Sequence, residues 1–423
     1  MAPFPCLLAV VLALLRTGAA LDGGAGAGGQ TRYARVFSFG DSLTDTGNAL
    51  RVTTGGPPSR PPYGEPFFRR PTGRPSDGRL AVDFIGEQTR APATDQTMKP
   101  VRFSQCVSSS SRAVEALGLP HPTPYLAGET PADFRRGVNF AVGRASALGL
   151  DFFESRGLKT FVPVSLRNQT SWFKNVLQSL GPASTGQSKT TAASLFIVGE
   201  IGINDYFIAL VGNLTVGEAK TFVPHIIGAI RSVLTEVIAA GATTVVVPGM
   251  IPLGCEPQLL ALYQGAVAAG GYDPASGCIT RLNDLAELHN RALRRMLGGL
   301  RRRHPGAAIV YADLYRAVTD IIVSPRKYGF RDRPLAACCG GGGGAYNFDM
   351  TAFCGAAGAM ACADPSEHVS WDGVHFTEAA NRRIACAALE GSHAGGVDDD
   401  GAPPTPSSLP WSTEAGRRRI GCV

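Results

Sequence analysis

Four short, mostly apolar runs along the chain end at glycine, proline or aspartate. Uninterrupted apolar runs of this length, bounded by turn residues, are typical of strands that are buried on both faces. The pattern therefore predicts four buried strands, at residues 36–39, 195–198, 243–247 and 308–311.

Two longer segments between these runs repeat apolar residues at helical spacing. They cover residues 222–240, which end before Gly241, and residues 279–300, which stop ahead of Pro305. Each segment carries one apolar stripe: Ile226, Ile227, Ile230, Val233 and Val237 in the first, and Leu282, Leu285, Leu288, Leu293 and Met296 in the second. Strands that alternate with helices predict an α/β fold with a parallel sheet covered on both faces. Ligands of such folds bind at the carboxyl ends of the strands.

The composition supports a packed core and argues against a nucleic-acid binder. Hydrophobic residues make up 44% of the 423 residues and charged residues 17%, far from the composition of a disordered chain. The net charge is +6, a mild bias over this length, and the basic residues are scattered apart from two arginine triplets at residues 301–303 and 417–419. A nucleic-acid interface needs a basic stripe with interleaved aromatic residues, and the chain shows none.

The N-terminus predicts secretion. An apolar run at residues 7–15 is followed by small residues that end at Ala20, which is typical of a signal peptide over residues 1–20. The alternative is a buried N-terminal strand or helix. The run is too short to cross a bilayer, and no other stretch approaches 18 continuous apolar residues, so we expect no membrane anchor. Asn168 and Asn213 begin N-glycosylation sequons, which are used in secreted chains.

The remaining chain divides into one domain and three atypical segments. Residues 21–34 are glycine-rich and predict a flexible leader, and residues 389–423 predict a disordered tail. Residues 88–113 have no hydrophobic period and interrupt the domain at residues 35–388. We interpret them as an exposed insertion.

A candidate nucleophile follows the first predicted strand. Gly40-Asp41-Ser42-Leu43 would place Ser42 on a tight turn before a helix, with its hydroxyl exposed and its backbone N–H free. Taken alone, this tetrapeptide more often means that Ser42 or Thr44 caps a helix.

Two further segments carry groups that would complete such a site. Gly202-Ile203-Asn204-Asp205 follows the second strand, and the Asn204 amide is a suitable donor to an oxyanion, although an Asn-Asp turn has the same sequence. Asp372 and His375 lie three residues apart before a helix that Thr377 could cap. That spacing lets the carboxylate orient the imidazole as a general base, whereas a lone histidine is more often structural.

Together these segments resemble the plant secreted branch of the GDSL (SGNH) esterase/lipase family. Gly-Asp-Ser-Leu, Gly-Ile-Asn-Asp and Asp-Gly-Val-His stand in family order, and Gly137-Val138-Asn139-Phe140-Ala141-Val142-Gly143 resembles the family's second block. Pro252-Leu253-Gly254-Cys255 and Cys338-Cys339-Gly340 resemble the plant branch. The resemblance covers residues 35–388 without the insertion. Because residues 88–113 have no counterpart in the family, we interpret them as a retained intron.

The resemblance implies a flavodoxin-like three-layer α/β/α sandwich and hydrolysis of carboxylic esters without a metal or cofactor. Ser42 would be the nucleophile, His375 the general base and acid, and Asp372 its orienting carboxylate. The Ser42 backbone N–H and the Asn204 side chain would bind the oxyanion. Acyl transfer to an alcohol and a catalytically impaired binding protein are the alternatives.

The chain departs from the family at the third oxyanion donor. The family uses the backbone N–H of a glycine in the second block, and the aligned position here is Arg144, with Gly143 just before it. The donor is therefore either Gly143 or Arg144, and a long cationic side chain enters the rim of the site.

Six of the ten cysteines are predicted to form disulfides. Cys6 leaves with the signal peptide, Cys106 lies in the insertion, Cys422 lies in the tail, and Cys386 fits a buried free thiol in an apolar helix. The even set that remains is Cys255, Cys278, Cys338, Cys339, Cys354 and Cys362. We expect Cys255 and Cys278 to close one loop, while the pairing of the other four stays open.

The expected partner is a small-molecule or lipid ester, with no nucleic acid and no stable membrane anchor. We expect a secreted monomer of the cell wall or apoplast, or a vacuolar protein that arrives through the secretory pathway.

Overall fold

The computed structural model describes residues 33–53, 55–88, 122–180 and 186–391. The predicted signal peptide, the insertion after residue 88 and the tail after residue 391 lie outside the described residues, as do Cys6, Cys106 and Cys422.

Six parallel strands form the central sheet in the order β2-β3-β1-β4-β5-β6. Their bounds are β1 Arg35–Phe39, β2 Thr123–Pro124, β3 Gly137–Asn139, β4 Ser194–Val198, β5 Thr244–Pro248 and β6 Ala308–Ala312. The four predicted strands are confirmed with ends shifted by a residue or so. On β1, Phe37 lies opposite Val138 of β3 and Phe196 of β4.

Helices connect the strands and cover both faces of the sheet, as the α/β prediction required. In chain order they are α1 Ala49–Val52, α2 Glu65–Phe68, α3 Ala81–Gln88, α4 Leu150–Glu154, α5 Leu166–Ser179, α6 Gly186–Ala192, α7 Ile203–Val211, α8 Val216–Lys220, α9 Val223–Ala239, α10 Pro257–Leu262, α11 Thr280–Arg303, α12 Leu314–Val323 and α13 Glu378–Gly391. The two predicted helices are α9 and α11.

Aromatic side chains fill the layer behind the strand that precedes Ser42. Phe37 and Phe39 of β1 are fully buried, with ring centroids 5.2 Å from Phe196 and 5.0 Å from Phe140, respectively. Phe173 of α5 meets Phe37 edge-on at 5.7 Å. Each fully buried phenylalanine stabilises the fold by about 1.5–3 kcal/mol, so β1 is held firmly at the centre of the sheet.

Among the described residues, one stretch, Val216–Ala239, has the length and apolarity of a membrane span. It includes α9, whose buried residues Ile226, Ile230, Val233 and Val237 form the stripe that the sequence predicted. A core helix of a large α/β domain meets the same criteria, and α9 packs against β4, α5 and α11. That the chain has no membrane anchor stays a prediction.

Three disulfides join the six cysteines predicted to pair. They link Cys255 to Cys278, Cys338 to Cys362, and Cys339 to Cys354. The last two staple a small antiparallel ladder, β7 Cys339–Gly340 with β8 Met360–Ala361. Cys386 is also disulfide-bonded, so the prediction of a free thiol there is wrong. The error arose because burial in an apolar helix is shared by free and bonded cysteines, and sequence periodicity does not separate them.

Candidate active site

Ser42 lies on a tight turn directly after β1. Gly40 exchanges two hydrogen bonds with the buried Gln169 side chain, at 2.9 and 2.8 Å. A Cβ atom at Gly40 would stand 2.3 Å from Thr44 Oγ1 and 2.8 Å from the Glu200 carbonyl oxygen, so only glycine fits. The turn therefore brings the half-buried Ser42 to the carboxyl edge of the sheet.

Asp45 ties this turn to the loop after β3. Its buried carboxylate accepts backbone N–H groups of Gly47 at 2.7 Å, Asn48 at 2.6 Å, Ala49 at 2.9 Å and Gly143 at 2.7 Å. Burial raises the pKa of Asp45, against these four hydrogen bonds. The carboxylate thus fixes the first and second sequence blocks against each other.

The two candidates for the third oxyanion donor differ in what their backbone N–H groups do. The Gly143 N–H is committed to Asp45, whereas the Arg144 N–H has no acceptor within the described residues. Arg144 adopts a left-handed backbone conformation, with φ at +69°, which favours glycine. The Ser42 N–H also has no acceptor in the described part of the chain. Ser42 and Arg144 therefore carry the available backbone donors of the two blocks.

Asn204 lies in the first turn of α7 and is half-buried beside these groups. Its side-chain nitrogen donates to the carbonyl oxygen of Ala145 at 3.0 Å and to Asp41 Oδ2 at 3.2 Å. The next residue, Asp205, accepts the backbone N–H groups of Ala147 and Leu148 at 2.8 and 3.0 Å. These contacts hold the Asn204 amide at the edge of the site, and its hydrogen bond to Asp41 is the longer of its two.

Asp372 and His375 form a hydrogen-bonded pair in the loop before α13. His375 Nδ1 lies 2.7 Å from Asp372 Oδ2, and Asp372 Oδ1 accepts the backbone N–H groups of Val374 and His375 at 3.0 and 2.8 Å. Burial works to raise the pKa of Asp372, but the charge and hydrogen bonds of His375 more than offset it, and the pKa lies below its usual value. The pair thus favours an ionised carboxylate facing the imidazole.

Tyr63 adds a contact to this pair that the sequence did not predict. Its hydroxyl donates to Asp372 Oδ2 at 2.8 Å, across 309 positions of the chain. The signal in the sequence is weak, because Tyr63 stands in a proline-rich loop without a strand or helix of its own.

Backbone contacts hold the histidine loop, residues 338–377, in a closed shape. Trp371 N–H donates to the His375 carbonyl oxygen at 2.7 Å, and Cys339 N–H donates to the Trp371 carbonyl oxygen at 2.7 Å. Thr377 caps α13 by accepting the Ala380 N–H at 3.2 Å, which is the cap that the sequence predicted. The disulfide ladder is therefore bonded directly to the segment that carries Asp372 and His375.

All six predicted catalytic and oxyanion positions line one cavity of about 400 Å³: Ser42, Gly143, Arg144, Asn204, Asp372 and His375. The rest of its wall is mostly apolar and includes Leu50, Ile203, Phe161, Phe207, Met350, Phe353 and Val374. The Phe161 and Phe207 rings stack at 5.6 Å. An apolar cavity with a few convergent polar groups is the usual form of a small-molecule site.

Buried carboxyl groups lie beneath this cavity. Burial raises the pKa of Asp41 from 3.8 to about 7, against the Leu43 N–H bond and the charge of His375. Burial, together with the charges of Asp41 and Asp372, raises the pKa of Glu256 from 4.5 to about 8. Burial and the neighbouring charge of Asp41 also raise the pKa of Glu200 well above its usual value. In each of these three carboxyl groups, burial thus favours the neutral form over the ionised form.

One cluster among the described residues has the spacing of metal ligands, Cys338, Cys362 and His368. Its two cysteines are joined to each other, so they offer no thiolate to a metal. The glycosylation candidates Asn168 and Asn213 are both exposed.

Comparisons with known proteins agree on one family. The family model described as GDSL-like Lipase/Acylhydrolase matches residues 36–388. GDSL esterase/lipase At5g45910 of Arabidopsis thaliana is 40% identical over 367 residues, which cover 85% of this chain and 91% of that protein. Sinapine esterase of Brassica napus is 39% identical over 368 residues, covering 86% of this chain and 87% of that protein.

Proposed function

The chain belongs to the GDSL-like lipase/acylhydrolase family and is an ester hydrolase, and we propose that Ser42 is its nucleophile. In this proposal His375 is the general base and Asp372 orients it. The observation that carries the proposal is the shared cavity, in which Ser42 and the 2.7 Å His375–Asp372 pair face the same space.

The reaction follows from these positions. Neutral His375 takes the proton of the Ser42 hydroxyl, and Ser42 Oγ adds to the ester carbonyl carbon. Asp372 holds the imidazole by Nδ1 and stabilises the imidazolium that forms. His375 then gives the proton to the departing alcohol, which leaves an acyl group on Ser42. Water, activated by His375 in the same way, releases the acid.

Three donors would stabilise the oxyanion. The Ser42 and Arg144 backbone N–H groups support this role because both line the cavity and neither has an acceptor within the described residues. Asn204 would supply the third donor by giving up its 3.2 Å bond to Asp41 and keeping its 3.0 Å bond to Ala145. Gly143 is set aside because its N–H already donates to Asp45. Removal of one such donor costs about 3–4 kcal/mol of transition-state stabilisation in comparable enzymes.

The apolar wall favours esters with a hydrophobic or aromatic acyl group. Phe161, Phe207 and Met350 supply a surface for such a group next to the oxyanion donors. Because one relative is named for sinapine, that ester belongs in the substrate panel beside acyl esters of increasing length and acetylated sugars. The relatives are named as esterases or lipases, which favours water over an alcohol as the acyl acceptor.

The three disulfides support secretion, because such bonds persist in oxidising compartments. We place the enzyme on the secretory pathway, with delivery to the cell wall, the apoplast or the vacuole. Glycosylation at Asn168 and Asn213 and a monomeric state belong to the same proposal.

Ser42→Ala tests the mechanism. We expect hydrolysis of the panel's best ester to fall by about 10⁴- to 10⁶-fold with an unchanged melting temperature, because no other hydroxyl replaces the nucleophile. Ser232→Ala, at an exposed position of α9, is the matched control and keeps wild-type turnover. Substantial turnover by Ser42→Ala would end the assignment.

A further inference from the structure

Tyr63 is a fully buried side chain that enters the active site from outside the sheet. It lies in the loop between α1 and α2 and packs in a small cluster with Trp371 and the cysteines of the two ladder disulfides. Its ring meets the Trp371 ring edge-on, with centroids 5.8 Å apart. The ring is thus fixed by packing, and its hydroxyl points to the Asp372–His375 pair rather than to solvent.

The hydroxyl reaches the same carboxylate oxygen that faces the imidazole. Asp372 Oδ2 takes Tyr63 Oη at 2.8 Å and His375 Nδ1 at 2.7 Å, while Oδ1 takes two backbone N–H groups. The carboxylate thus has four donors. Three of them belong to its own loop, and Tyr63 is the fourth.

We propose that Tyr63 is a positioning residue of the catalytic triad. Its hydroxyl holds the Asp372 carboxylate in place and weakens the attraction of that carboxylate for a proton on His375. This inference rests on the proposed roles of Asp372 and His375. Tyr63 itself neither touches the ester carbonyl nor exchanges a proton in the reaction.

The physical reason is that a hydrogen-bond donor stabilises the charge of a buried carboxylate. A neutral O–H donor stabilises the ionised form without adding charge, so it lowers the affinity of the carboxylate for a proton. Without that donor, the Asp372–His375 pair binds a proton more readily, whether on the carboxylate or on the imidazole. Hydrolysis needs ionised Asp372 and neutral His375, so the loss of Tyr63 Oη raises the pH below which activity fades.

Other charges act on the same groups and stay in place when Tyr63 is changed. Arg144 and Arg60 act on Tyr63, Glu256 acts on Asp372, and Asp41 acts on His375. Because none of them donates to Asp372 Oδ2, none can replace the hydroxyl directly.

Tyr63→Phe tests the proposal through the pH profile of kcat/KM. We expect the acid limb to move up by about 1 pH unit, the size expected for one hydrogen bond to a charged group, with a fall of about tenfold in kcat at the plateau. Tyr206→Phe is the matched control, since Tyr206 is equally buried and its hydroxyl makes one contact, with His289 Nδ1 at 3.1 Å. We expect Tyr206→Phe to change stability while the acid limb stays in place.

An unmoved acid limb in Tyr63→Phe would overturn the proposal, even if the variant were less stable. If that variant does not fold, a fluorinated tyrosine at position 63 retains the hydroxyl and donates more strongly, and we expect it to move the acid limb to lower pH. An unchanged or raised limb in the fluorinated protein would also overturn the proposal. Failure of the proposed function is recognised separately, because Ser42→Ala would then retain turnover.

Discussion

The two halves of the proposed catalytic site are held by different forces. The nucleophile side, residues 40–45, 141–145 and 199–204, follows β1, β3 and β4 at one edge of the sheet. The histidine loop has two strands of two residues each, two disulfides and a small cluster around Trp371. Hydrophobic burial behind a sheet fixes Ser42, whereas covalent links and individual hydrogen bonds fix His375.

This difference indicates which side of the site tolerates substitutions. On the nucleophile side, many buried contacts stabilise the strands together, and the packing of Phe37, Phe39 and Phe196 holds β1 in place. In the histidine loop, only a few disulfides and hydrogen bonds hold the chain, so the loss of one of them matters more. We therefore expect perturbations of the loop to lower activity while leaving the sheet intact.

Among the variants that test how the two halves are held, we expect the largest effect from opening the disulfide between Cys339 and Cys354. We expect the double variant Cys339→Ser with Cys354→Ser to lower kcat by about 10- to 100-fold, because Cys339 N–H donates to the Trp371 carbonyl oxygen and a displaced base loses its alignment. Hydrogen exchange should rise in residues 338–377 and stay slow in β1, β4 and β5.

The control for that variant is Cys255→Ser with Cys278→Ser, which opens the third disulfide beside α10. Removal of either bond should cost roughly 2–5 kcal/mol of folding stability. We expect a clearly smaller loss of kcat in the control. Equal losses of kcat in the two double variants would show that the two halves are held in the same way. Faster hydrogen exchange in β1, β4 and β5 of the Cys339→Ser, Cys354→Ser variant would show the same.

A smaller effect should appear in the pH dependence of stability, through Glu256, which lines the cavity between the two halves. Burial raises the pKa of Glu256 to about 8, so between its unfolded pKa and pH 8 the folded protein holds a proton that the unfolded chain releases. This contribution therefore destabilises the fold as pH rises through that window. The Asp372 carboxylate, whose pKa is lowered, acts in the opposite direction and loses stability only as pH falls into the acid range.

Glu256→Gln tests this sign. We expect the melting temperature to rise by about 2–4 °C relative to wild type at pH 8, and by less at pH 5, because the amide never ionises. The exposed Glu129→Gln serves as the control and should show no such trend. A difference that grows toward low pH would contradict the account.

The nucleophile side was largely predictable from the sequence, because its strands are continuous apolar runs and parallel strands bring their ends together. β2 and β3, with two and three residues, are too short to give such a signal. The choice between Gly143 and Arg144 also stayed open, since only the Asp45 contact distinguishes their N–H groups.

The histidine loop was predictable in its chemistry but not in its contacts. The three-residue spacing of Asp372 and His375 indicated their pairing, and the even set of cysteines indicated staples. Tyr63 and the ladder pairing depend on contacts between distant segments that no local period encodes. The prediction for Cys386 was wrong for the same reason, because the sequence of its helix does not show whether the cysteine has a disulfide partner.

The most direct test that Ser42 is the nucleophile is to locate a covalent adduct. The wild-type enzyme, treated with a fluorophosphonate and digested, should carry the phosphonyl group on the peptide that contains Ser42. Labelling should fall by about 100-fold or more in His375→Ala, because the hydroxyl then lacks its base. An adduct on another residue, or ester hydrolysis that continues after Ser42 is fully labelled, would show that Ser42 is not the nucleophile.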